Sequence, residues 1–341
     1  MAKSKRVKAH KKFKRTLLTL AILVALYLVL YIITPSVGTY YHESEGEKVV
    51  AGLEVPLLEQ GDTLILHEGY SLVYDESIES AKWVAYHLTK DELYGLFERK
   101  DNFREDPLIE SGSATLADYR KSGYDRGHLV PAADLSFSQE AMSQSFYLSN
   151  MSPQDPTFNR GIWADLEATV RNFASQNSQI YITTGPIFYD EPSTFIGDSK
   201  VAVPDAYYKV ILDYQEPQIK AIAFILPNEG SKKSLESFAT TIDEVEQIVQ
   251  LDFFPLLDDS VEANLESSFN VSQWDFSPFK VTKEERIAYN ENPRVETEEI
   301  IIPSSDNEFV QVLLDLMMRS KLEIRSILTS FEVSDLLNTL K

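Results

Sequence analysis

The chain runs to 341 residues, 43% apolar and 11% aromatic, enough for one or two domains with a real core. It has no cysteine, which excludes disulfide scaffolds and thiolate-ligated zinc. The formal net charge is −21; residues 1–15 carry eight Lys or Arg and no acid, so the rest holds 24 basic against 53 acidic residues, a net of −29. Such a surface repels polyanions at long range and weighs against extended nucleic-acid binding.

Residues 1–15 form a basic tail. Leu17 to Ile33 is apolar apart from Thr19, Tyr27 and Tyr31, and residues 16–34 make a stretch of 19. That is about the length needed to cross a hydrocarbon core of roughly 30 Å. Pro35 ends it, and Glu43, Glu45 and Glu47 follow. The charge asymmetry predicts a single-pass transmembrane helix with a cytoplasmic N-terminus, the rest of the chain lying periplasmic or extracellular in a bacterium. A signal peptide cleaved after Gly38 is the competing reading, but the apolar stretch exceeds the roughly 7–15 residues of a signal core.

Residues 35–64 read as an acidic stalk, and 65–280 as the globular domain. Within it, Ser71–Tyr74, Trp83–Leu88 and Gln179–Thr183 are predicted strands, the last closed by Gly185-Pro186. Tyr207–Leu212 and Ile219–Leu226 are predicted to pair as a hairpin across Gln215-Glu216-Pro217, and Asp91–Arg99 reads as a helix. Strands and helices interleave without a βαβ period, so the fold class is α+β. Residues 281–305 read as an acidic linker. Ser305 and Glu308 then open a C-terminal helical region over 306–341. Those helices either pack on the domain or offer a surface for self-association or a protein partner.

The five histidines are His10, His42, His67, His87 and His128, and no pair has metal-ligand spacing. His87, inside the strand-like WVAYHL, reads as structural. His128 stands in Asp125-Arg126-Gly127-His128. An imidazole can take a proton from water near neutrality, and an arginine fork can clamp a phosphate. In extended backbone Arg126 and His128 share a face, with Gly127 between them allowing close approach of a substrate backbone. Downstream, NRGIWADLE (Asn159–Glu167) reads as a loop entering a helix that runs to about Ser175. Asn159 is either the N-cap of that helix or, through its amide oxygen, a hard ligand suited to Mg²⁺. Glu167, two turns on and about 12 Å along a straight helix, fits a role in holding metal-bound water or orienting the helix start.

Together the DRGH motif (Asp125–His128), YLSNMSPQ (Tyr147–Gln154) and NRGIWADLE resemble the DNA/RNA non-specific endonuclease family, the ββα-metal nucleases. The resemblance covers about residues 65–275, with weaker matches in Trp83–Thr89, Arg99–Pro107 and Ile242–Leu257. It implies a ββα-metal fold with a mixed or antiparallel sheet, here preceded by the transmembrane helix. It further implies DNA and RNA as substrates, products with 5′-phosphate and 3′-hydroxyl ends, and one Mg²⁺, with Mn²⁺ as a substitute. His128 is then the general base, Asn159 the direct metal ligand, Glu167 the holder of the metal's water shell, Arg126 a phosphate contact, and Asn150 a supporting hydrogen-bonder. Arg99 is the candidate for the family's upstream site arginine, although Asp101 stands where some members carry it.

Two other readings compete: a catalytically silent, membrane-tethered binding or scaffold protein of the same fold, and a phosphodiesterase acting on a smaller ester. Retention of His128, Asn159 and Glu167 together speaks against the first. The acidic balance is reconciled with a nuclease either by a locally basic cleft using Arg126, Arg160, Arg171 and Arg99, or by weak substrate binding. Both predict inhibition by salt.

Overall fold

The computed structural model describes residues 48–291 and 299–301. The basic tail, the 16–34 stretch and the 306–341 region lie outside the described residues. Among the described residues no helix is long and apolar enough to cross a membrane.

A seven-stranded antiparallel sheet carries the fold. After β1 (Lys48–Val50) come β2 (Leu64–His67), β3 (Tyr70–Asp75) and β4 (Ser80–Thr89), then helix α1 (Leu116–Tyr119). A separate ribbon follows, β5 (Asp125–His128) and β6 (Met151–Gln154), with α2 (Gln139–Gln144) between its strands. Next are α3 (Pro156–Phe158), α4 (Ala164–Asn177), β7 (Gln179–Ile187) and the short pair β8 (Phe195–Ile196) and β9 (Val201–Ala202). The chain continues through β10 (Ala206–Asp213), β11 (Lys220–Pro227), β12 (Ala239–Thr240), α5 (Ile242–Val249), α6 (Asp259–Glu266), α7 (Lys283–Glu291) and β13 (Glu299–Ile301). The sheet order is β12-β11-β10-β7-β4-β3-β2, and β1 pairs in parallel with β13.

Both faces of this sheet are covered, so its central strands β7 and β10 are buried along their whole length, with mostly apolar side chains on both faces. On one face Val84, Ile182, Tyr207, Ile211 and Phe224 pack under Leu166, Val170 and Phe173 of α4. On the other, Trp83, Tyr181, Tyr208, Val210 and Leu212 pack under Ile242 and Val245 of α5, Leu265 of α6 and Phe253 between them. The sheet is thus the middle of three layers, with α4 and the ribbon on one side and α5 and α6 on the other.

The hairpin expected across Gln215-Glu216-Pro217 is β10–β11, in register from Ala206↔Pro227 to Asp213↔Lys220. β7, however, does not stop at Gly185-Pro186. Its pairing with β4 ends at Thr184, so Pro186 lies where the strand has only β10 as a neighbour and a missing N–H costs little. Asp91–Arg99 contains a single 3₁₀ turn, Asp91–Tyr94, in place of the expected helix.

The domain limits also differ from those expected. Within the predicted stalk, Leu53 is fully buried and joins the second face. Within the predicted linker, α7 docks on the body: Tyr289 stacks on Tyr94 at 3.8 Å, and Arg286 donates to the Gly95 carbonyl at 2.7 Å. Residues 48–291 are therefore one folded body, wider at both ends than 65–280.

Candidate active site

β5 presents its side chains against β6, with Arg126 opposite Pro153, Gly127 opposite Ser152 and His128 opposite Met151. The space above Gly127 is not open to substrate, as its position in the motif suggested. A Cβ there would lie 2.1 Å from the side chain of Gln154, which is itself fully buried. Gly127→Ala is therefore expected to cost about 1–3 kcal/mol through overpacking. Thermal melts check this, and truncating Gln154 in the same chain should recover most of the loss.

His128 is 8% exposed, and its Nε2 is buried without a hydrogen-bond partner. Phe146 meets the ring edge-on at 5.2 Å and Phe103 lies at 5.8 Å. Burial, then the charges of Arg99 and Arg126, push its pKa down to about 3, so the imidazole is neutral at working pH. Arg126 reaches over the same Phe103 ring at 4.2 Å, which places it on the His128 face as the strand spacing predicted. Arg99 sits 4.9 Å from the Phe146 ring and pairs with Asp101 at 2.6 Å, so the two residues that competed for one role are an ion pair.

Asn150 is fully buried and locks the chain just past His128. Its Oδ1 accepts from the Val130 N–H at 2.9 Å, and its Nδ2 donates to the Val130 and Ser145 carbonyls at 3.0 and 2.8 Å. From the other side, the Trp163 indole N–H donates to the His128 carbonyl at 3.3 Å and ties the strand to the start of α4.

Asn159 is not an N-cap. Asp155 takes that role for α3, its carboxylate accepting from the Thr157 and Phe158 N–H groups. Nor are residues 159–163 a loop: they form a π-helical turn broken at Gly161 (φ −118°, ψ −114°), after which α4 begins. A straight-helix distance from Asn159 to Glu167 does not apply across that kink. The Asn159 Nδ2 donates to Asp125 at 3.0 Å, and among the described residues its Oδ1 accepts no hydrogen bond. Asp125 is in turn gripped by the guanidinium of Arg160, at 2.8 and 2.6 Å.

Glu167, on the first turns of α4, is half-buried over a charged floor that sequence reasoning missed. Lys209 of β10 is fully buried with an unpartnered Nζ, 5.0 Å from the Trp163 ring. Asp134 accepts from Arg171 at 2.8 Å and from the Tyr86 hydroxyl at 3.1 Å. Burial pushes the Glu167 carboxyl up to about 7, opposed by Arg171 and Lys209 and reinforced by Asp134. The available signal was Lys209 itself, a lone amine in the otherwise core-like strand AYYKVILD.

The basic cleft is thinner than four arginines suggested. Arg171 faces inward onto Asp134, Arg160 is forked on Asp125 and Arg99 is paired, whereas Arg126 is exposed and has no carboxylate partner among the described residues. A cavity of about 340 Å³ lies beside Arg99, lined by Phe97, Met142, Lys283 and Arg286, and none of His128, Arg126, Asn159 or Glu167 lines it. Loss of a charge-assisted phosphate contact costs about 1.5–3 kcal/mol. In the phosphate-contact role that the family resemblance implies for Arg126, Arg126→Ala is expected to raise KM roughly tenfold or more on any sequence, and to flatten the slope of log KM against log salt by about one unit. A salt series on both variants checks it.

The sequence profile of the DNA/RNA non-specific endonuclease family matches residues 52–260. Nuclease C1 of Cunninghamella echinulata var. echinulata is 40% identical over 214 residues, 58% of this chain and 85% of that protein. Mitochondrial nuclease EXOG of Danio rerio is 32% identical over 285 residues, 77% of this chain and 82% of that one. Mitochondrial endonuclease G of Homo sapiens is 37% identical over 202 residues, 55% and 68% of the two chains. The crystal structure of the EndoG/EndoGI complex superposes with a TM-score of 0.55 at 32% identity, covering 60% of this chain and 89% of that one. The chain belongs to the DNA/RNA non-specific endonuclease family. It is a DNA/RNA endonuclease.

Proposed function

We propose that the chain cleaves DNA and RNA in a Mg²⁺-dependent reaction, with Mn²⁺ able to substitute, using His128 as general base on water. The observation that carries this is the buried, unpartnered Nε2 of a neutral imidazole flanked by Arg99 and Arg126. The donor set fits a hard divalent cation: the Asn159 amide oxygen would be its direct protein ligand and the Glu167 carboxylate would hold its water shell, with no thiolate in the chain to favour a softer ion. When bound, Mg²⁺ supplies polarisation of the phosphoryl oxygen and charge stabilisation at the leaving oxygen.

The remaining work falls to the chain. Arg126, and Arg99 beside it, grip the phosphate and align it with His128. The His128 imidazole, neutral and without a hydrogen-bond partner at Nε2, is the base that accepts a proton from the attacking water, while Phe103 and Phe146 pack its ring in place. Asp125 turns the Asn159 amide so that its oxygen is the free end, and Asn150 fixes the backbone that carries the base.

The apolar stretch 16–34 behind a basic tail supports a single-pass anchor that holds the nuclease domain outside the cytoplasm. An alkaline wash should leave the chain with the membrane, and protease added from outside should reach the domain; release by the wash would count against the anchor. Residues 306–341 are the segment available for self-association or a partner.

The direct test uses the purified full chain with plasmid DNA and with RNA. Both should be degraded in Mg²⁺ or Mn²⁺, neither after chelation, and activity should return on adding metal. A wild-type chain inert on both polymers with either ion would sink the reading.

A further inference from the structure

A second set of carboxylates lies between α5 and α6, on the sheet face opposite α4. Asp243 and Glu246 are one turn apart on α5, Glu262 and Glu266 one turn apart on α6, and Asp252 comes from the connection between them. Oxygens of Asp243, Glu246 and Glu266 all lie within 4.8 Å of one another, and so do oxygens of Asp252, Glu262 and Glu266. Glu266 belongs to both groups and is 7% exposed. Its Oε1 is buried with no hydrogen-bond partner, and the Oε1 of Glu262 is buried and unpartnered in the same way.

None of the five carboxylates forms an ion pair with Lys, Arg or His among the described residues. Glu246 accepts from the Phe253 N–H at 2.9 Å and shares a hydrogen bond with Glu266. Those contacts leave the two buried oxygens unserved. A buried carboxylate oxygen with neither solvent nor a donor is costly, and converging like charges add to the cost. One ligand removes both penalties: a cation seated where Glu266 joins the two groups.

We infer that the α5–α6 carboxylates form a second divalent-cation site, separate from Asn159 and Glu167, which takes Ca²⁺. Ca²⁺ accepts six to eight oxygens in adaptable geometry and tolerates a cage made of protein carboxylates, whereas Mg²⁺ keeps most of its waters. Nitrogen and sulfur donors are absent from the cluster, which disfavours zinc and copper. The ion clamps α5 to α6 and so fastens the layer that covers the second face of the sheet. Its role is stability, not chemistry.

The test is thermal unfolding of the chelator-treated full chain as Ca²⁺ is added, run on wild type, Asn159→Ala and the double variant Glu262→Gln/Glu266→Gln. An ion that binds only the folded chain raises Tm by mass action. Wild type and Asn159→Ala should each gain on the order of 5 °C at saturation. The double variant should gain nothing, yet melt close to wild type without Ca²⁺, because the amides keep the size of the acids and end the crowding of carboxylates around Glu266. Calorimetry on Asn159→Ala should count one Ca²⁺ per chain, a readout independent of how the double variant folds. A double variant that responds like wild type, an Asn159→Ala chain that binds no Ca²⁺, or a larger shift with Mg²⁺ than with Ca²⁺ would each overturn the assignment.

Discussion

Replacing His128, the proposed general base, with Asn is expected to lower kcat on DNA and on RNA by a common factor of about 100 to 10,000, the usual contribution of a positioned general base. The factor is common because the base acts on water and not on the sugar. Single-turnover rates on matched DNA and RNA substrates check this, and a loss confined to one polymer would contradict it. The pH profile carries the sharper signature. In the free enzyme, burial and then Arg99 and Arg126 hold the imidazole pKa at about 3, so the basic form is present at every pH above that value. At saturating metal, kcat/KM should therefore show no inflection near the ordinary histidine value of 6.5. A bound phosphate offsets the two arginine charges and raises the imidazole pKa in the complex. The acid limb of kcat should accordingly lie at higher pH than that of kcat/KM. Coincident limbs would remove Arg99 and Arg126 from the role given them here.

The same depression acts on stability. Below pH 6.5 the unfolded chain binds a proton that the folded one refuses, so the contribution of His128 is fully present above 6.5 and declines as pH falls toward 3. His128→Asn should flatten that part of the acid melting curve.

The second large effect is expected at the proposed metal site. Asn159→Ala should cut activity by more than about 100-fold, since even outer-shell partners are worth about 10- to 100-fold. Glu167 adds a pH dependence of known sign. Its folded carboxyl titrates near 7, raised by burial first, so below that pH a proton competes with the ion. The Mg²⁺ concentration giving half-maximal activity should fall as pH rises through 7 and then level off. Glu167→Gln should require more Mg²⁺ and lose the pH dependence. If the dependence survives in Glu167→Gln, another group is titrating.

Much of this site was legible because its parts are local. The DRGH strand, the residue types at 126, 128, 159 and 167, and the β10–β11 hairpin are all short-range patterns. What escaped was set by partners distant in sequence. The sequence leaves Asn159 open between a cap and a metal ligand; the cap of α3 is Asp155, and the orientation of the Asn159 amide depends on Asp125, 34 residues away. Lys209 gave only a hint, because its meaning comes from α4 packed above it. α7 falls in the stretch that reads as linker because it is acidic and leads into the proline-punctuated NENPRVETEEIIIPSSD. Its anchors are a stacked tyrosine and polar side chains reaching backbone carbonyls, which periodicity does not register.

The fork of Arg160 on Asp125 is solvent-facing, with the arginine side chain 71% exposed, and it restrains the carboxylate that aims the Asn159 amide. Exposed ion pairs weaken as mobile ions shield them. Rising ionic strength thus reaches the enzyme by two routes, one through looser capture of the polyanion and one through a ligand that wanders from its aim. With Asn159 as the proposed metal ligand, the second route should depress turnover even when the polymer is saturating, so brine should slow this catalyst in a way that extra substrate does not rescue.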